Sequence, residues 1–62
     1  MILVLQDSTT SDSIGEISAD SAPSVGDTIA YQGNNYLIMM RVSPTLMRNN
    51  EKVIRFRVRQ VS

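Results

Sequence analysis

Apolar residues in this chain cluster in five short stretches separated by polar connections, and in the clearest stretches they alternate with polar residues. A period of two is typical of β-strands with one buried face, and no stretch has the 3.6-residue period of an amphipathic helix. A helical turn at 45–48 would be too short to offset the cost of nucleation. The pattern predicts five strands: Met1–Gln6, Ile14–Ala19, Val25–Tyr31, Tyr36–Val42 and Lys52–Val61.

The third and fourth stretches predict a β-hairpin. β-branched and aromatic residues flank the connection Gln32–Asn35, and Gly and Asn tolerate the positive φ that a tight turn requires. The fourth stretch has apolar residues on both faces, so we expect it to be central in the sheet or covered on both sides.

The last stretch shows the cleanest alternation. Ile54, Phe56 and Val58 fall on one face, whereas Arg55, Arg57 and Arg59 fall on the other. This is the period of a strand that packs one face against a core. Together with the hairpin, it predicts a core that contains Ile29, Tyr36, Ile38, Phe56 and Val58.

Polar connections separate the predicted strands. The segment Asp7–Ser13 is rich in Ser, Thr and Asp, whose side chains compete for backbone hydrogen bonds, and we expect a flexible loop there. Ser43–Glu51 is also expected to be a loop, with a turn at Asn49–Asn50 near its end. Gly15 either weakens the second strand or marks a bulge or a close approach of backbone.

These elements predict an all-β fold in a single domain, residues 1–62. Five short strands with long polar connections favour a small five-stranded antiparallel SH3-like barrel or a strongly bent sheet, because closure removes exposed strand edges. The alternative is an open sheet that a second chain completes.

The segment Val25–Ile38 has the order hydrophobic, Tyr31, Gly33, Tyr36, hydrophobic, and a final strand follows it after a loop. This pattern resembles the closing half of several small bacterial and phage β-barrel proteins, among them phage head-tail joining proteins. The resemblance extends over residues 25–61 at most. It implies the barrel fold and a structural role in an assembly.

The small size of the chain predicts a partner. A domain of 62 residues removes only about 60% of its unfolded surface from water. Because the chain has no cysteine, no disulfide can compensate, and the remaining supports are barrel closure or burial against another chain. We therefore expect a protein partner or self-association.

Several activities are not expected. The chain has no His, Cys or Trp, so the usual acid–base, thiolate and zinc chemistry is missing, and we expect no enzyme, metal or cofactor. Asp7 and Asp12 do not have the spacing of an EF-hand and are interpreted as turn residues. No stretch is long enough for a membrane helix, and Met1–Leu5 is too short for a signal peptide. We expect no membrane contact and a location in the cytoplasm or within a phage particle.

The charges are segregated along the chain: all six Lys and Arg residues lie at or after position 41, whereas five of the six carboxylates precede it. Arg55, Arg57 and Arg59 would project at about 6.6–6.8 Å intervals, comparable with the phosphates of one nucleic-acid strand, and Arg41 would extend the patch. No aromatic ring stands between these arginines to stack a base. We therefore favour a solvent-exposed strand face whose arginines pair with Glu16 or Asp27.

Leu46 and Met47 lie in an otherwise polar connection. They form either an exposed docking tip or a cap that folds back over one end of the barrel. Our first hypothesis is a non-enzymatic protein–protein interaction or structural module that acts as a homo-oligomer or in a larger assembly. The alternative is a small-barrel nucleic-acid-binding protein that uses Arg41, Arg55, Arg57 and Arg59.

Overall fold

The computed structural model describes all residues from Met1 to Ser62 and contains five strands and no helix. The all-β prediction is therefore confirmed, and no segment forms a helix that could span a membrane. The strands are β1 (Ile2–Asp7), β2 (Ser13–Ser18), β3 (Thr28–Tyr31), β4 (Asn34–Arg48) and β5 (Glu51–Gln60).

The strands form one sheet in the order β2-β1-β5-β4-β3, which curls until it is nearly closed into a barrel. This bent sheet is consistent with the predicted small SH3-like barrel. The expectation of a purely antiparallel sheet is wrong, because β1 pairs parallel with β5. The first and last strands of the chain both belong to the centre, since β5 lies between β1 and β4.

The core lies on the concave side of this sheet, where alternate residues of β1, β4 and β5 meet. The alternation predicted for β5 is confirmed, because Ile54, Phe56 and Val58 are all buried. Ile29 is the one residue of the predicted core that is only half-buried, and it packs against the margin of the core cluster. The core cluster consists of Leu3, Leu5, Tyr36, Ile38, Ile54, Phe56 and Val58.

Gly15 and Tyr31 bring the two edge strands into contact where the sheet is nearly closed. A Cβ at Gly15 on β2 would overlap the phenol ring of Tyr31 on β3, so only glycine leaves room for the ring. Next to Gly15, the β1–β2 ladder shifts register between Leu5 and Gln6. Two of the roles considered for Gly15 are therefore observed together, a bulge and a close approach, although the approaching group is a side chain.

The tight turns use residues with positive φ. The β3–β4 hairpin turns at Gln32 and Gly33, with φ of 49° and 81°, so Asn34 and Asn35 belong to β4 rather than to the predicted connection. The predicted turn at Asn49–Asn50 is confirmed, with φ of 51° and 65°. The third strand is shorter than predicted, because Gly26 has a φ of 95° and Val25 to Asp27 precede the strand.

Asp7 organises the polar segment that follows β1. Its carboxylate Oδ1 accepts hydrogen bonds from the backbone N–H groups of Thr9 and Thr10, at 2.7 and 3.1 Å. The backbone N–H of Asp7 donates to the carbonyl oxygen of Asp12, and its carbonyl oxygen accepts from the N–H of Ser11, each at 2.8 Å. These contacts give the loop a defined shape, while its side chains from Thr9 to Ser13 remain exposed.

Candidate interaction surface

Strand β4 continues well past its partner β3 and forms a two-stranded extension with β5. β3 pairs only with Asn34–Leu37, whereas β4 pairs with β5 as far as Arg48. We call Val42–Arg48, the turn Asn49–Asn50 and Glu51–Val53 the arm. The predicted loop Ser43–Glu51 is therefore wrong, because strand residues occupy most of it.

The arm bends where β4 carries extra residues. A straight strand of 15 residues would span roughly 50 Å, whereas the whole molecule extends only 33 Å along its longest axis. The β4–β5 ladder shifts register between Ile38 and Met40 and again between Val42 and Leu46. Such bulges increase local bending and twist, which turns the arm relative to the barrel.

Exposed hydrophobic side chains concentrate on β4. Leu46 and Met47 are 42% and 65% exposed, so the predicted candidate residues lie on the arm with open surface around them. Met39 and Met40, at 41% and 51%, lie at the first register shift. Four of the six exposed large hydrophobic residues of the chain are thus on one strand.

The side of the sheet opposite the core, which we call the outer face, carries three parallel columns of side chains. Residues that are paired in register project to the same side of a sheet. The middle column is Arg55, Arg57 and Arg59 on β5, which we call the arginine column. The columns beside it are largely aliphatic: Ile2, Val4 and Gln6 on β1, and Leu46, Val42, Met40 and Leu37 on β4.

No carboxylate pairs with the arginine column. The two ion pairs of the structure involve Arg48 and the N-terminus, so the expected pairing of these arginines with Glu16 or Asp27 is wrong. Glu16 is taken by Arg48, and the carboxylate of Asp27 accepts the backbone N–H of Ser24 at 2.9 Å.

Arg55 differs from the other two arginines because it is held by the bulge of the arm. Its Nη2 donates to the carbonyl oxygens of Ser43 and Pro44, at 3.3 and 3.4 Å. Its Nε is buried without a hydrogen-bond partner. Arg57 is half-buried and Arg59 is exposed. The guanidinium groups of Arg57 and Arg59 make no hydrogen bond within the chain, which leaves their donors free for a ligand.

Arg48 ties the arm to β2. Its Nη1 and Nη2 donate to Oε1 and Oε2 of Glu16 at 3.0 and 3.3 Å. This hydrogen bonding and the charge of Glu16 raise the pKa of Arg48. Both side chains are about half exposed, so solvent screens the pair and its contribution to folding is small. The ion pair instead positions the end of the arm relative to β2, because β5 and β1 separate β4 from β2 in the sheet.

Arg41 lies apart from the arginine column. In the ladder it is opposite Phe56, whereas Arg57 and Arg55 are opposite Met40 and Val42. Its Nη2 donates to Oγ1 of Thr45 at 2.7 Å. Lys52 is paired with Met47 and is four positions from Phe56 along β5, so it projects to the same side of the strand as Phe56. The structure therefore brings three of the four candidate arginines together and places Arg41 on the other side.

Val53 was not predicted to be buried, although only 3% of it is exposed. It lies between Ile2 and Leu46 on the outer face and does not belong to the core cluster. The signal is its position: within β5, Val53 is the one aliphatic residue in the alternating set that otherwise reads Glu51, Arg55, Arg57 and Arg59. It marks the outer face as more apolar than its arginines indicate.

The outer face and the arm present aliphatic and guanidinium groups. The structure has no pocket and no cluster of three acidic, His or Cys side chains. Exposed aliphatic groups and free guanidinium donors are its distinguishing groups. Comparison with family models, with curated proteins and with solved structures finds no match to this chain.

Proposed function

We propose that this protein is a non-enzymatic protein–protein interaction or structural module, which acts as a homo-oligomer or within a larger assembly. The observation that carries the proposal is the concentration of Met39, Met40, Leu46 and Met47 on the exposed part of β4. A location in the cytoplasm or within a phage particle belongs to the same proposal and is supported by the resemblance to small phage barrel proteins.

The core of this protein is small. Only 8 of the 62 residues are buried, and apolar surface left in water contributes nothing to stability. Burial of apolar area against a partner is worth about 25 cal/mol per Å² before the costs of association. Methionine adapts its shape to a partner surface. Strand β4, with Met39 and Met40 before the arm and Leu46 and Met47 on it, therefore supplies both apolar area that association would bury and side chains suited to a contact.

Sedimentation equilibrium of the purified chain tests self-association. The variant Leu46→Asp/Met47→Asp places two charges on the arm, and we expect it to weaken association at least tenfold. Asn49→Asp/Asn50→Asp adds the same charge to the same arm at exposed turn positions where Asp tolerates positive φ, and it should associate like the wild type. Equal loss in both variants would mean that charge, not apolar contact, is responsible.

A specific observation favours a second candidate function, binding of single-stranded nucleic acid. Arg57 and Arg59 have no carboxylate partner, and unpaired guanidinium groups bind phosphates. If three phosphates were neutralised, affinity for a single strand would fall about 20-fold between 50 and 200 mM salt. Fluorescence anisotropy with a 20-nucleotide DNA and RNA at both salt concentrations measures this. Under the first proposal, neither oligonucleotide binds tightly at either concentration.

A further inference from the structure

The arginine column is bordered by aliphatic side chains on both sides. Val4 on β1 and Val42 on β4 lie on either side of Arg55 in the ladder, and Met40 lies beside Arg57. Val4 and Val42 are half-buried and Met40 is 51% exposed. A partner that pairs with these arginines also covers the aliphatic columns.

A second copy does not fit this face in a symmetric contact centred on the arginine column. A two-fold axis through that column would bring the unpaired arginines of one copy close to those of the other. Like charges that face each other across an interface are unfavourable. The occupant must bring negative charge to the middle of the contact and apolar groups to its sides.

Carboxylates on a protein meet both requirements better than phosphates do. A sugar–phosphate chain offers charge but little aliphatic surface for Met40, Val42 and Val4, and the face has no ring on which a base could stack. An acidic protein segment can carry Asp or Glu between Leu, Ile or Val residues. A guanidinium pairs with a carboxylate through two parallel hydrogen bonds.

We propose that the outer face binds an acidic amphipathic segment of another protein, whose carboxylates pair with Arg57 and Arg59 while its aliphatic residues pack on Met40, Val42 and Leu37. This inference rests on the proposed function and specifies the chemistry of the partner. Carboxylates two residues apart on an extended segment repeat at about 6.6–6.8 Å, as the arginines do. Carboxylates four residues apart on a helix repeat at about 6 Å.

The test uses a library of random 16-residue peptides displayed on phage and selected on the immobilised chain. The variant Arg57→Gln/Arg59→Gln removes two charges from the outer face and leaves Arg55, which holds the bulge, in place. The matched control Arg41→Gln/Lys52→Gln removes two charges from the opposite set of positions. Melting of all three proteins establishes that they are folded. Anisotropy with the 20-nucleotide DNA and RNA is measured in parallel.

We expect peptides selected on the wild type and on the control to be enriched in Asp and Glu at two- or four-residue spacing beside aliphatic residues. A single enriched peptide should bind the variant Arg57→Gln/Arg59→Gln at least tenfold more weakly than it binds the wild type or the control. Peptides without acidic enrichment, or equal binding by both variants, would overturn the inference and leave the interaction module standing. If no peptide is enriched and the chain does not self-associate, both this inference and the proposed interaction module are overturned. Oligonucleotide binding that is lost only in Arg57→Gln/Arg59→Gln would assign the face to nucleic acid.

Discussion

Gly15 lies beneath the phenol ring of Tyr31, and this contact joins the two edge strands of the sheet. Hydrogen bonds hold every other neighbouring pair of strands. Between β2 and β3, the packing of the Tyr31 ring against the backbone of Gly15 takes the place of these hydrogen bonds. The contact therefore provides a sensitive test of barrel closure.

We expect Gly15→Ala to lower the free energy of unfolding by about 1–3 kcal/mol, because the added methyl group overlaps the Tyr31 ring. Tyr31→Ala removes the ring and should itself destabilise the protein through lost packing. Urea unfolding of both single variants and the double variant measures their coupling. If the ring is the cause, the double variant costs less than the sum of the two. Strict additivity would place the cost elsewhere.

Phe56 is the largest fully buried side chain of the core. Phe56→Ala should cost about 3–5 kcal/mol, against a total of roughly 3–9 kcal/mol for a domain of this length. We expect its melting temperature, followed by circular dichroism, to fall by about 12–40 °C. Normal folding with an unchanged melting temperature would contradict the assigned core. Exposed Gln60→Ala on the same strand is the control and should melt like the wild type.

Individual residues of β5 were predictable because Ile54, Phe56 and Val58 alternate with arginines. The pairing of those arginines was not predictable, since it depends on which carboxylates the fold brings near. Glu16 is 32 positions from Arg48 in the chain. Nothing in a local pattern distinguishes that pair from the expected pairing with β5.

The turn Asn49–Asn50 sets the register of the arm, because both residues have positive φ. Asn50→Val should lower the free energy of unfolding by about 1–2 kcal/mol, since a β-branched side chain is strained in that conformation. Asn50→Gly introduces a residue that adopts positive φ freely, and this variant should be at least as stable as the wild type. Thermal melts compare the three proteins. Similar melting of the Val and Gly variants would show that the arm unfolds independently of the barrel.

The segment Asp7–Ser13, which contains the connection between β1 and β2, remains predicted to be the most mobile internal segment. The amides of Thr9 and Thr10 donate to a side-chain carboxylate at an exposed position, and such bonds open without unfolding the sheet. Amide exchange measured by NMR should be faster at residues 9–13 than in β5. Protection equal to that of β5 would contradict this expectation.

The existence of the strands followed from composition and period, but the length of β4 did not. Ser43, Pro44 and Thr45 read as a connection, and the structure accommodates them as extra residues in a bulge. The sequence period flips at such a point, and apolar residues on both faces of β4 predicted a strand that is central or covered on both sides. β4 does lie inside the sheet, between β5 and β3. It is not covered on both sides, because Met39, within the first register shift, and Met40, directly after it, are exposed.

For the molecule as a whole, association and folding should be coupled. If the arm forms a homo-oligomer, its melting temperature rises with protein concentration, because only the folded chain associates. Differential scanning calorimetry over a hundredfold range of concentration measures this. Leu46→Asp/Met47→Asp should melt at the same temperature throughout. A wild type whose melting temperature is equally constant would contradict self-association.

The order of the strands in the sheet also constrains when the protein can fold. β1 pairs with β2 and β3 pairs with β4, but only β5 joins these two hairpins by hydrogen bonds. During synthesis β5 is the last of these five strands to leave the ribosome. Until then, the hairpins have no shared ladder, and β1 and β4 expose the edges that β5 will occupy. Two-stranded hairpins are marginal in water, so the native sheet forms only after β5 has been made.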